Sequence, residues 1–169
     1  MTLSPLRNSL TLTVFILSFC FSTNLEAQSI AYKALLSTLY DSSFPVLKAD
    51  QLSDLSPYQV LDAREKEEFD VSHLKGATWV GYDTFSIQNV ASLDRNKPVL
   101  IYCTVGARSE DIGKKLQEVG FTQVYNLYGG LIEWSNEEKP IFHEGLQTKK
   151  VHTYSKSWGI WLTKGEKVY

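Results

Sequence analysis

A cysteine stands at the point in this sequence where strand and helix patterns meet. The segment Val99–Leu116 reads VLIYCTVGARSEDIGKKL. An apolar run ends at Cys103, the connection Thr104, Val105, Gly106, Ala107 and Arg108 follows, and helical spacing continues through Ser109. Ligand sites in open α/β sheets lie beyond the carboxyl ends of the strands, which is where Cys103 falls. Gly106 lets the connection curl tightly, because it adopts positive φ without steric cost. A curled loop ahead of a helix turns several backbone N–H groups inward and makes an anion-binding nest. The positive helix end and Arg108 would stabilise a thiolate, the nucleophilic form of sulfur. The competing reading is an inert cysteine packed at a strand end.

Other chemistry finds less support. His73, His143 and His152 have no ligand spacing and Cys103 has no cysteine partner in the mature chain, so neither a metal nor a cofactor is expected. The net charge is -2, with only short basic pairs such as Lys114-Lys115 and Lys149-Lys150. Phosphate binding needs concentrated positive charge, so a nucleic-acid partner is not expected.

The elements that must position the cysteine alternate. Pro98 opens the strand Val99–Tyr102, whose unbroken apolar run suits burial on both faces of a parallel sheet. Ala107–Val119 reads as a helix with Ile112, Leu116 and Val119 on one face, and Gly120 is placed to end it in a left-handed cap. Further strands are predicted at Tyr58–Asp62, Ala77–Tyr82 and Gln123–Leu127, and helices at Ala49–Leu55, Glu65–Phe69, Phe85–Leu93 and Leu131–Glu137. Such alternation predicts one α/β domain with a mainly parallel central sheet flanked by helices, over residues 45–142. A leading helical segment, residues 28–44 with its periodic part at Ser29–Tyr40, precedes the domain.

Residues 1–27 read as a secretory signal peptide: Arg7, an apolar run from Leu10 to Phe21, and a cut after Ala27. The run is shorter than the roughly 20 residues a spanning helix needs. Export to a bacterial periplasm is expected, with no stable membrane insertion after cleavage. The alternatives are an uncleaved anchor and a lipid attached at Cys20, against which the bulk of Phe19 argues. Cleavage removes Cys20 and leaves a lone thiol, so no internal disulfide is expected.

Three motifs in order resemble the single-domain rhodanese family. The loop Cys103–Arg108 with Ser109 is similar to that family's sulfur-carrying loop. Upstream, VLDAREKEEFDVSHLKGA carries matches at Asp62, Arg64, Glu68-Phe69, His73-Leu74 and Gly76-Ala77; downstream, YNLYGGLIEW carries a double glycine before a tryptophan-bearing helix. Ser72 and Tyr128 depart from the pattern, which more often has glycine at the first and a small or basic residue at the second. The resemblance implies a three-layer rhodanese-like fold and a two-step sulfur transfer through a Cys103 persulfide. It also implies a small anionic donor such as thiosulfate, and as acceptor a thiol, cyanide or a protein. Arg108 is then expected to hold the donor or the persulfide, while Asp62, Arg64 and His73 are expected to be structural.

Two other functions compete. A cysteine phosphatase places arginine six positions after its cysteine; here that position is Ser109 and the arginine comes one step early. A non-catalytic docking or redox-sensing module is the other, against which intact Cys103, Gly106 and Arg108 argue. Residues 143–169, rich in lysine and bearing Tyr154, Trp158, Trp161 and Tyr169, lie beyond the resemblance. They read as an added hairpin whose aromatics cover the domain, or as a lid near the Cys103 loop.

Overall fold

The structure, a computed structural model, describes residues 27–169. The signal peptide expected over residues 1–27, Cys20 included, lies outside the described residues apart from Ala27. The chain divides into two compact units, Met1–Thr38 and Leu39–Tyr169. The described part of the first, residues 27–38, is helical and belongs to α1 (residues 27–39), in which the Ser37 and Thr38 hydroxyls donate back to the carbonyls of Ala34 and Leu35. The leading segment expected to run to residue 44 thus ends its helix at 39. Asp41 Oδ1 then accepts from the Ser43 amide at 2.9 Å and closes a turn.

The second unit is built on five parallel strands in the order β1 (Val46–Leu47), β5 (Val124–Leu127), β4 (Val99–Tyr102), β2 (Gln59–Asp62), β3 (Thr78–Trp79). Central β4 is buried along its whole length, as its unbroken apolar run requires. Its side chains alternate: Leu100 and Tyr102 join one core with Leu127, Leu131 and Trp134, while Val99 and Ile101 join another with Ile112, Leu116, Phe121 and Val124. A sheet with a core on each face is the three-layer α/β architecture that the sequence predicts.

Several elements are shorter than their patterns suggest. The helices expected at Ala49–Leu55 and Phe85–Leu93 are single 3-10 turns, Ala49–Gln51 and Ile87–Val90. The strand expected at Ala77–Tyr82 is only Thr78–Trp79, because it lies at the sheet edge with one partner and turns at Gly81, φ 70°. By contrast α3 (Ala107–Glu118) closes as predicted. Gly120 takes φ 93° while its amide and that of Phe121 return to the carbonyls of Gln117 and Leu116. These two bonds form a Schellman motif, and they satisfy carbonyls that the helix end would otherwise leave open.

α2 (Lys66–Val71) follows β2, and α4 (Gly130–Asn136) follows β5. Instead of the added hairpin predicted over 143–169, a hairpin of β6 (Ile141–His143) and β7 (Leu146–Thr148) straddles the start of that segment. Beyond it, β8 (Lys150–His152) and β9 (Glu166–Val168) pair in parallel around the short α5 (Lys156–Gly159). Val151 and Leu162 are buried in the same core as Leu100, so this extension packs into the domain. Ser72, where the family more often has glycine, donates its hydroxyl to the Lys150 carbonyl at 2.6 Å and ties β8 down. No helix among the described residues is long and apolar enough to cross a membrane.

Candidate active site

Cys103 is the first residue beyond β4 and is 1% exposed. The Gly106 amide donates to its Sγ at 3.1 Å. The loop reaches this shape because its carbonyls are drawn to the opposite side. Leu131 and Ile132, whose amides lie in the first turn of α4, donate to the carbonyls of Cys103 and Thr104 at 2.9 and 3.1 Å. The Tyr40 hydroxyl donates to the Val105 carbonyl at 2.5 Å, and Asn126 Nδ2 donates to that of Gly106 at 2.9 Å. Four consecutive carbonyls therefore face the scaffold. In a trans peptide the next N–H points the other way, so the amides of Thr104 to Ala107 turn away from the groups that hold these carbonyls, and that of Gly106 ends on Sγ. Every peptide bond described is trans.

Glycine is required at two places in this arrangement. Gly106 takes φ 100°, and a Cβ there would lie 2.1 Å from the Tyr40 hydroxyl. Gly130 takes φ 55°, and its Cβ would meet the Cys103 carbonyl at 2.3 Å. The second glycine of the pair thus lets the start of α4 touch the loop. Tyr40 also accepts from the Gly129 amide at 2.8 Å, and burial pushes its phenol well above the usual range, so it remains a donor. Its ring meets Tyr128 edge to face at 5.7 Å, which accounts for the second departure from the family pattern. Sequence reasoning missed Tyr40 and Asn126, since each acts from a distant element. The Ser109 hydroxyl, predicted in the binding loop, donates to Asn126 Oδ1 at 2.7 Å and is fully buried behind the loop.

Arg108 lines the pocket, but its guanidinium is occupied. Nη1 and Nη2 donate to the two oxygens of Glu68 at 2.8 and 2.9 Å, and Nη2 also donates to Thr104 Oγ1. Thr104 in turn donates to Glu68 at 2.7 Å. Burial would raise the Glu68 carboxyl, yet the bonds and charge of Arg108 outweigh it and the net shift is downward. The positive charge expected for an anionic donor is therefore neutralised by a carboxylate of α2.

The motif residues lie further back. Asp62 and Arg64 form a fully buried pair at 2.6 Å, and Arg64 Nη2 continues to the Ser72 carbonyl at 2.6 Å, joining the end of β2 to the end of α2. The Arg64 guanidinium also lies over the Tyr102 ring at 5.5 Å. His73 stacks on Phe69 at 4.1 Å and exchanges two backbone bonds with Phe142 of β6. None of the three is among the residues lining the Cys103 pocket.

That pocket has a volume of about 370 Å³. It is lined by residues of the Cys103 loop, by Glu65, Tyr82 and Asp83, and by Tyr154 and Trp158 of the extension. The Tyr154 ring covers the Arg108 guanidinium at 4.9 Å. Tyr154 holds φ 65°, a conformation that costs about 1 kcal/mol or more for a residue with a side chain. Its amide donates to His152 Nδ1 at 3.2 Å within that turn.

The model of the Rhodanese-like domain family matches residues 46–137. A tRNA uridine(34) hydroxylase of Pectobacterium carotovorum subsp. carotovorum (strain PC1) is 38% identical over 111 residues, 61% of this chain and 30% of that protein. The protein of that name from Yersinia pestis (strain Pestoides F) is 33% identical over the same length. The chain therefore spans less than a third of the length of these relatives. Among solved structures, a rhodanese-like domain protein of Staphylococcus aureus matches with a TM-score of 0.50 at 26% identity, over 61% of this chain and 96% of that one. The thiosulfate sulfurtransferase of Pseudomonas aeruginosa matches with a TM-score of 0.53 at 22% identity, over 70% of this chain and 23% of that one, a likeness of fold alone.

Proposed function

The chain belongs to the rhodanese-like domain family, and we propose that it is a sulfurtransferase carrying sulfane sulfur as a persulfide on Cys103. In the first step the Cys103 thiolate attacks the outer sulfur of thiosulfate or a similar donor. An S–S bond forms at Sγ, the donor's own bond to that sulfur breaks, and sulfite or the donor thiolate leaves with the bonding pair. In the second step a thiol or cyanide attacks the terminal sulfur and returns the Cys103 thiolate. The transfer is redox-neutral overall.

The observation that supports this reading most is the placement of the loop's polar groups. Four carbonyls in succession are held against the scaffold, and the Gly106 amide ends on the sulfur. Amide donors fixed in advance around a sulfur that bears negative charge stabilise it without reorganisation. The Glu68–Arg108–Thr104 cluster keeps the loop in this shape. The hydroxylation named for the longer relatives is not part of the proposal.

We also place the protein outside the cytoplasm, on the strength of the apolar run Leu10–Phe21 ahead of Ala27. Protein sequencing of the secreted or periplasmic form is expected to begin at Gln28. For the chemistry, the protein is mixed with thiosulfate or an organic persulfide and no acceptor. One equivalent of sulfite or donor thiol per chain is expected as a burst, absent in Cys103→Ser. A docking or sensing module would give no burst from any donor, and that result would reject the proposal.

A further inference from the structure

We propose that the Cys103 pocket selects a small aminothiol carrier of sulfane sulfur, one bearing an ammonium group, over a small dianion. The inference rests on the sulfur-transfer reading and names the substrate class for the same site. Three features of the pocket carry it. Glu65 and Asp83 stand on its wall, and among the described residues no ion pair joins either to a cation. The arginine in the wall, Arg108, is spent on both oxygens of Glu68, whose side chain is 3% exposed. Three aromatic rings, Tyr82, Tyr154 and Trp158, line the remainder.

Each feature acts in the same direction. Carboxylates without a cationic partner repel an incoming dianion and attract an ammonium group, most strongly at low ionic strength. The negative faces of aromatic rings favour an organic cation as well. Tyr154 further lies over the Arg108 guanidinium at 4.9 Å, so the cation that an anionic donor would seek is engaged by an aromatic face as well as by Glu68. A volume of about 370 Å³ accommodates an organic body larger than an inorganic ion. The backbone amides around Sγ still serve the transferred sulfur, while the walls choose what brings it.

For the persulfide of an aminothiol, the Cys103 thiolate bonds to the terminal sulfur. The S–S bond of the donor breaks, the aminothiolate leaves with the electron pair, and the donor's proton stays on the new Cys103 persulfide. Atoms and charge balance without an oxidant or reductant. The ammonium group would lie between Glu65, Asp83 and the aromatic wall.

The test uses a matched pair of donors, the persulfides of cysteamine and of 3-mercaptopropionate, with thiosulfate as a third. Loading of Cys103 is followed by donor-thiol or sulfite release at low salt, and each rate is divided by the same donor's rate with a free thiol in solution. The cationic donor is expected to load roughly tenfold faster than its anionic partner after this correction, and added salt should narrow the gap. Glu65→Gln combined with Asp83→Asn is isosteric and should bring the pair close to parity. Tyr154→Ala with Trp158→Ala should slow the cationic donor selectively. Point variants are preferable to truncation, which would strip Val151 and Leu162 from the core. Equal or faster loading by the anionic donor, or a preference unmoved by the charge variants, overturns the inference and leaves the sulfurtransferase reading standing. If none of the three donors loads Cys103, both fall together.

Discussion

Tyr40→Phe isolates the contribution of one distant hydroxyl to the sulfur site. The hydroxyl donates to the Val105 carbonyl at 2.5 Å and accepts from the Gly129 amide at 2.8 Å. Phenylalanine keeps the ring against Tyr128 and leaves both backbone groups without this partner. An unsatisfied buried polar group costs about 1–3 kcal/mol. Both groups are only partly buried, so the sum is placed at about 2–4 kcal/mol, near the low end for each. With a urea m-value of about 2 kcal/mol/M, the midpoint should fall by about 1–2 M at constant m. The Val105 carbonyl, once released, no longer fixes the peptide that carries the Gly106 amide. Sulfur loading at Cys103 should therefore slow as well, under conditions where the variant is still fully folded. The assays are urea unfolding by fluorescence and the donor-thiol burst. A variant within about 0.5 kcal/mol of wild type that loads at the wild-type rate would refute the idea that Tyr40 holds the loop.

The remaining predictions follow from neighbouring contacts. Gly130→Ala should cost about 3 kcal/mol or more, because its Cβ meets the Cys103 carbonyl at 2.3 Å on a φ of 55°. Gly120→Ala, at φ 93° with only Arg95 Cδ at 4.0 Å, should cost about 1 kcal/mol and leave loading intact. Glu68→Gln should lower stability near neutral pH by about 2 kcal/mol, since it removes the charge facing Arg108. The Glu68 carboxyl is lower in the folded than in the unfolded chain, so this stability is present above about pH 4.3 and is lost as pH falls through the folded value. The gap between wild type and Glu68→Gln, read by urea unfolding across pH, should close on the acid side.

Much of this was readable from local pattern. The apolar run Val99–Tyr102, the glycine three residues after Cys103 and the spacing of Ile112 and Leu116 specify a strand, a tight loop and an amphipathic helix, and the structure has them. What escaped depends on contacts between distant segments. Tyr40 lies 65 residues from the carbonyl it holds, and no periodicity marks it. Arg108 looked available because its partner, Glu68, is 40 residues upstream and stood out only as part of a motif. The extension showed aromatic and lysine content but no strand alternation, because β8 and β9 are three residues each and pair in parallel across thirteen intervening residues. Short 3-10 turns at Ala49–Gln51 and Ile87–Val90 replaced predicted helices for a similar reason: the connection, not propensity, sets their length.

The account stands on sulfur bound covalently at Cys103. Intact-mass spectrometry after brief exposure to a sulfane donor, followed by peptide mapping without reductant, reads that directly. The predicted result is a gain of one sulfur atom, located on the peptide containing Cys103, discharged by an added thiol and absent in Cys103→Ser. No gain from any donor, or a gain that persists in Cys103→Ser, would contradict it.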